Sequence, residues 1–176
     1  MYTSLNRERI LNPSDMAKKI IAKPLRRKAQ RELEKSEQYI RRYPDCIHKL
    51  FLLESRLKEF IPNSSIKYSL DEYIDLELAR GEFMYGDRAR LEIGRPNQCH
   101  KNSAELFELN PETTRIVTGW AFIQQDLWVQ HSWLIHYLTE DYKKYELVET
   151  TLKRDAYFGV VLTPEECYEF IDYIYS

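Results

Sequence analysis

Hydrophobic positions recur at three- and four-residue steps through the first two thirds of the chain and turn to alternation after Asn110-Pro111, a change from the helical period of 3.6 to the strand period of 2. Asn12-Pro13-Ser14-Asp15 opens a first helix, and Pro24 breaks it before Leu25, Ala29, Leu33, Ser36 and Ile40 mark a second, set among Arg26, Arg27, Lys28, Arg31, Lys35, Arg41 and Arg42. Tyr43-Pro44-Asp45 interrupts again. Ile47, Leu50, Phe51, Leu53, Leu57 and Phe60 then form the apolar side of a further helix that ends near Pro62-Asn63, and the two are expected to pack as an antiparallel pair. Ser69-Leu70-Asp71-Glu72 reads as a capping box for a helix that runs to Gly81. A loop with Gly86-Asp87 follows, and residues 89–93 are too short to assign. Gly94-Arg95-Pro96 halts the chain before Asn97-Gln98-Cys99-His100-Lys101-Asn102-Ser103 leads into the short amphipathic helix of residues 104–109.

Residues 116–123, 127–138, 145–151 and 157–162 are β-rich runs. Read in order they predict a meander of short-turn hairpins, mostly antiparallel. Thr163-Pro164-Glu165-Glu166 supplies an N-cap, a proline at the first helical position and a box glutamate for a closing helix through Phe170, Ile171 and Ile174. The expectation is an α+β protein, with a basic helical layer in residues 1–65 and, in residues 66–176, a core in which the helix that starts at Cys99 packs on an antiparallel sheet.

A length of 176 residues with 43% hydrophobic content suits one well-buried core. The net charge of −2 hides an asymmetry: residues 1–60 carry 15 Lys and Arg against 8 Asp and Glu, and residues 61–176 carry 11 against 20. A basic N-terminal region leaves contact with nucleic acid or an acidic protein open. Glu32, Glu34 and Glu37 interleave with its arginines, and no aromatic residues alternate with them, so a scaffold helix or one that touches a protein is the better reading. Cys46, Cys99 and Cys167 lie far apart without Cys-x-x-Cys or Cys/His pair spacing, which predicts neither a disulfide framework nor a zinc knuckle. With no signal-like apolar run near Met1 and no run long enough to span a bilayer, a reducing cytoplasm is the expected setting.

That setting leaves Cys99 free to react, and its place at a helix start favours a thiolate. On the strand of residues 127–137 the odd positions are Leu127, Val129, His131, Trp133, Ile135 and Tyr137, so His131 is the polar exception on an apolar face. On the next strand Glu149 is the exception among Tyr145, Leu147 and Thr151. A buried carboxylate needs a partner, and each exception supplies the other's. A three-residue loop at Thr139-Glu140-Asp141 would pair positions that sum to 280, with His131 directly across from Glu149. Treating Gln124-Gln125-Asp126 likewise pairs positions that sum to 250, which puts Gly119 opposite His131 and leaves an open side for a thiol to approach. His100 and His136 are the rival bases; the first points about 100° away from Cys99 on a helix and the second lies on the other strand face. Each residue taken singly also has a plain structural reading, as a buried cysteine or a core histidine bonded to a carbonyl.

Cys at the start of a helix, His on a following strand and Asp or Glu on the next resembles the catalytic core of the papain-like and transglutaminase-like cysteine enzymes. The segments that carry the resemblance are Gln98-Cys99-His100-Lys101-Asn102-Ser103, Gln130-His131-Ser132-Trp133 and Glu146-Leu147-Val148-Glu149-Thr150-Thr151, within residues 95–165. It implies that Cys99 is the nucleophile, His131 its base and Glu149 the residue that fixes the imidazole tautomer, with an oxyanion met by the Cys99 N–H and a side-chain amide. Asn97, Gln98 and Asn102 are the amide candidates. The family usually places a Gln several residues before the Cys, and Gln98 departs from that by adjoining it. Trp120, Trp128 and Trp133 either wall an acyl pocket or fill the core.

The function expected is cysteine-dependent acyl transfer on an amide, as a peptidase, glutamine deamidase or transglutaminase, on a protein or peptide substrate and with no cofactor or metal. The alternative is a non-catalytic module of the same fold that binds protein or nucleic acid through its basic helices.

Overall fold

The computed structural model describes residues 44–67, 69, 71–123 and 126–176. The basic helices expected before residue 43 lie outside them. The described residues form a mixed α/β structure with four helices and one curled, mixed sheet of seven strands. In chain order the elements are α1 (Pro44–Phe60), β1 (Ser65–Ile66), α2 (Ile74–Arg80), β2 (Glu82–Tyr85), β3 (Arg90–Leu91), α3 (Cys99–Leu109), β4 (Thr114–Ile123), β5 (Leu127–Tyr137), β6 (Tyr145–Glu149), β7 (Ala156–Val161) and α4 (Pro164–Tyr175).

The sheet runs β2-β7-β4-β5-β6-β3, with β1 beside β5. Four pairings are antiparallel, and β1–β5 and β3–β6 are parallel. Only β4, β5 and β6 follow the expected meander. β7 returns across the structure to pair with β4 instead of β6, and its glycine explains how closely it packs. At Gly119 an added Cβ would fall 2.2 Å from the Phe158 carbonyl oxygen and 2.4 Å from the Gly159 Cα, so the backbones of β4 and β7 meet where neither carries a side chain. The side of Gly119 that the sequence left open to a thiol is therefore occupied by β7.

Period-2 alternation sorts the strands into two faces. Ile116, Leu134, Val148, Val160 and Leu162 point to α3 and α4, whose Ala104, Phe107, Cys167, Phe170 and Ile171 complete a core cluster. On the same face, Trp120, Trp128, Ala156 and Phe158 receive Leu50, Leu53 and Leu57 of α1 and Ile74 of α2. Those three leucines are fully buried, each worth about 1.5–3 kcal/mol of transfer free energy, so α1 belongs to the same core as the strands. The opposite face gathers Met84, Ala89, Val117, Ala121, Trp133, Ile135, Leu147 and Tyr157, enclosed by the curl of the sheet.

The box at Thr163 forms as its residues require: the Glu166 N–H donates to Thr163 Oγ1 at 3.3 Å, and the Thr163 N–H to Glu166 Oε2 at 2.8 Å. The box expected at Ser69 does not form. α2 starts at Ile74 after an uncapped Tyr73, because the side chains meant for the cap have tertiary partners. Ser69 Oγ donates to Gln130 Oε1 at 3.3 Å, and Asp71 is buried with Glu77 beneath Trp120, whose Nε1–H donates to both carboxyls at 3.1 and 2.8 Å. No helix among the described residues is long and apolar enough to cross a membrane.

Candidate functional site at a gap in the sheet

β5 is paired by β4 along its whole length, from Leu127 to His136. Along its other edge β1 holds Leu127 and Trp128, and β6 holds Leu134 to Tyr137. Residues 129–133 face a gap between them. Even-numbered residues of this strand turn their backbone groups to that edge: the Trp128 carbonyl accepts from Lys67 and the Leu138 N–H donates to Lys144. The Ser132 N–H therefore points into the gap, where the N-terminus of α3 brings Cys99. The His131 side chain and the backbone N–H groups of Ser132 and His100 lie where they stabilise the Cys99 thiolate.

α3 is aimed by its preceding loop. The Gly94 N–H donates to the Thr150 carbonyl at 2.9 Å. Asn102 then clamps the turn from inside, its Oδ1 accepting from the Arg95 N–H at 3.0 Å and its Nδ2 donating to the Arg95 carbonyl at 2.8 Å. A Cβ on Gly94 would sit 2.5–2.7 Å from the Asn102 amide, so only glycine passes there. Asn97 takes the left-handed conformation, φ 58°, which asparagine tolerates better than most residues.

His131 and Glu149 share the helix-free face, 5% and 0% exposed. Their approach is diagonal. The β4–β5 pairs sum to 250 as expected, Gly119 opposite His131 included, but the β5–β6 pairs sum to 282. The hairpin loop is five residues long, Leu138 bonding Lys144, with Tyr142 at φ 56°. A shift of two residues preserves the face, and the ring reaches along the strand: His131 Nε2 lies 2.9 Å from Glu149 Oε2 and 3.1 Å from Oε1. With Nε2 engaged, Nδ1 is the nitrogen available to the thiol. Glu149 also accepts from the Thr151 N–H at 2.7 Å, the Thr151 hydroxyl at 2.9 Å and the Tyr157 hydroxyl at 2.9 Å, so its charge is fully solvated by protein donors.

These contacts set the protonation states. Burial pushes the Cys99 thiol up, but the hydrogen bond and charge of His131 and the two backbone N–H groups outweigh it and bring the thiol below its ordinary 9.0. Burial pushes His131 down, and the bonds to Cys99 and Glu149 overcome it to raise the imidazole to about 9. Burial raises Glu149, yet His131, Thr151 and Tyr157 hold it below the usual carboxylate value. The shifts all favour the same charged set, thiolate, imidazolium and carboxylate in series.

The rival histidines lie elsewhere. His100 Nδ1 is 2.6 Å from Ser132 Oγ on the helix side of the sheet, and burial with the charge of His131 lowers it to about 4. His136 Nδ1 is 3.2 Å from Glu146. Trp120, Trp128 and Trp133 are fully buried core residues; none lines the cleft. Asn102 spends its amide on Arg95, Gln98 is exposed and away from the cleft, and Asn97 alone of the three amides reaches it. Among the described residues no group of three His, Cys, Asp or Glu is arranged to hold a metal.

A cleft of about 490 Å³ opens over Cys99 and His131, lined also by Ile93, Pro96, Asn97, Val129, Gln130, Thr151, Leu152 and Arg154. Gln130, Tyr157 and Arg154 escaped the reading of the sequence. Gln130 neighbours His131, and Tyr157 carries its hydroxyl on an apolar face beside Glu149, so both had a positional signal. Arg154 sits in a loop with none. No family model, curated protein or solved structure matches the chain.

Proposed function

We propose that the protein is a cysteine-dependent acyl-transfer enzyme of the papain-like or transglutaminase-like kind, acting on an amide in a protein or peptide. The observation that carries this reading is that Cys99 and His131 line the floor of one open cleft, with His131 Nε2 at 2.9 Å from Glu149 Oε2.

In the first step the Cys99 thiolate attacks the amide carbonyl carbon, forming the C–S bond and moving the carbonyl π electrons onto oxygen. The tetrahedral oxyanion collapses, the C–N bond breaks, and the His131 imidazolium gives its proton to the departing nitrogen, leaving a thioester and an amine. Neutral His131 then takes a proton from water or an acceptor amine as it attacks the thioester carbonyl carbon. The second tetrahedral oxyanion collapses, the C–S bond breaks, and the acid or new amide leaves with the Cys99 thiolate regenerated beside the imidazolium. Glu149 keeps the ring oriented and stabilises the imidazolium each time it forms. Asn97 and Gln130 are the residues with side-chain amides that line the cleft. Gln130 Oε1 accepts from Ser69 Oγ at 3.3 Å.

The test is the rate of Cys99 alkylation by iodoacetamide as a function of pH, read residue by residue by mass spectrometry. Cys167 is an internal control, since burial pushes its thiol up to about 11. Cys99 is expected to react with an inflection below 9.0, and His131→Ala to restore ordinary thiol behaviour. A Cys99 that titrates as an ordinary thiol in both proteins would overturn the proposal.

A further inference from the structure

Arg154 introduces a charge into the cleft that the chemistry above leaves unused. Apart from the Cys99–His131 pair it is the one cleft-lining residue with a charged side chain, and no Asp or Glu lines the cleft. Its neighbours there, Ile93, Pro96, Val129 and Leu152, are apolar, and Ile93 and Leu152 are 74% and 63% exposed at the rim. The guanidinium has no ion pair among the described residues, and its Nε is buried without a hydrogen-bond partner.

That is a costly state for an arginine. A buried N–H without an acceptor gives up its solvation and gains no bond in return, and Arg side chains in proteins characteristically pair with planar anions through two parallel N–H bonds. The segment is also held in place. The Arg154 N–H donates to the Tyr157 hydroxyl at 3.1 Å, and the same hydroxyl donates to Glu149, so one tyrosine anchors both the carboxylate behind His131 and the backbone that presents Arg154. A Cβ on Gly86 would come within 1.8 Å of the Arg154 carbonyl oxygen, which packs the loop from its other side.

We infer that Arg154 is a specificity-determining residue that binds a carboxylate of the acyl donor, so that the substrates are amides carrying a carboxylate close to the scissile bond. The inference rests on the reading of Cys99 as the nucleophile. The carboxylate belongs either to an acidic side chain or to a chain terminus, and both present the same planar anion to the guanidinium. An apolar rim and an unpaired guanidinium together select a substrate with one anionic group flanked by hydrocarbon, and no Asp or Glu of the lining opposes it.

The experiment uses alkylating probes, so no natural substrate is needed. Iodoacetyl-glycine offers a terminal carboxylate, N-iodoacetyl-aspartate α-amide offers a side-chain carboxylate, and iodoacetyl-glycinamide is their neutral counterpart. In each case the thiolate displaces iodide to form a thioether. For wild-type protein at pH 7 at least one anionic probe is expected to label Cys99 about tenfold faster than the neutral one, as suits a charge-assisted pair, and the faster of the two identifies the source of the carboxylate. Arg154→Gln should remove that preference, read as the ratio of anionic to neutral labelling within the same protein, and Arg154→Lys should keep part of it. Because His131 also attracts anions, the decisive quantity is the loss of preference in Arg154→Gln. Equal preference in wild type and Arg154→Gln overturns the assignment of Arg154 while leaving the nucleophile intact. Slow labelling of Cys99 by every probe, with an ordinary thiol titration, overturns the nucleophile instead. Should Arg154→Gln fail to fold, the absence of any anionic preference in wild type, or its survival undiminished in Arg154→Lys and at 1 M salt, overturns the inference equally.

Discussion

Glu149 and Glu77 are both fully buried, and they end in opposite states. Glu149 faces an imidazole and accepts from a backbone N–H and two hydroxyls, so it is kept ionised despite burial. Glu77 faces another carboxyl, Asp71, with the Trp120 Nε1–H between them, and its Oε1 has no partner. Burial first, and the neighbouring carboxyl second, raise it well above 4.5. Depth is the same in the two places. The difference lies in the partners: donors and a cation hold a charge in the interior, whereas two acids facing each other share protons. The first arrangement is the one to which the proposed chemistry is assigned, and the second ties α2 to Trp120 of β4 beneath the helices.

The comparison breaks most visibly at Glu149. Glu149→Ala leaves His131 buried without its counter-ion and should cost about 3–5 kcal/mol, measured by urea denaturation at pH 7. It should also lower the His131 pKa from about 9, which can be followed by NMR of the ring. Unchanged stability would mean that Glu149 carries no charge in the fold. His131→Ala comes next: at pH 6, where an ordinary thiol is protonated, labelling of Cys99 should fall about a hundredfold, the scale of a lost general base and ion-pair partner. For turnover of an amide the alkaline limb should lie near the His131 value of about 9, because the leaving nitrogen needs the imidazolium proton.

On the Glu77 side, Trp120→Phe removes the donor shared by the two carboxyls and should cost about 1–3 kcal/mol. Cys99 labelling should stay unchanged if the two carboxylate regions are independent. Slower labelling would show that the Asp71–Glu77–Trp120 cluster transmits into the cleft.

How far the sequence spoke for each region follows from the kind of signal each carries. Cys99, His131 and Glu149 stood out because each broke a local pattern, and face parity survives a register error of two: the loop after Leu138 is longer than its turn residues imply, yet His131 and Glu149 still meet. The β4–β5 register was readable because a three-residue turn, with Asp126 at φ 56°, fixes it locally. The short strands β1, β2 and β3 were not, since two to four residues hold no periodicity and form only where a long strand offers an edge. β7 pairs with β4 through Gly119 and Gly159, a tertiary choice that chain order does not express. Asp71 and Glu77 were concealed for a similar reason, because Ser69-Leu70-Asp71-Glu72 satisfies the local rule for a cap while its side chains are claimed by Gln130 and Trp120. The papain-like reading rests on Cys99, His131 and Glu149, whereas the basic helices before residue 43 lie outside the described residues.

The smallest effect sharpens the comparison most, because it turns on a sign. Glu77 has a folded value raised above that of the unfolded chain, so the stability it contributes is fully present below about 4.5 and is lost as pH rises through the folded value. Glu149 has a lowered value, so its contribution is present above that point and is lost as pH falls through its folded value. Glutamine at position 77 keeps the shape and an acceptor for Trp120 but does not titrate. Glu77→Gln should therefore match wild type within about 1 kcal/mol at pH 4 and become progressively the more stable of the two as pH rises to 8. Urea midpoints of both proteins at intervals across that range measure the difference. A gap that stays flat would mean that Glu77 is ionised throughout, and the two buried glutamates would then be alike.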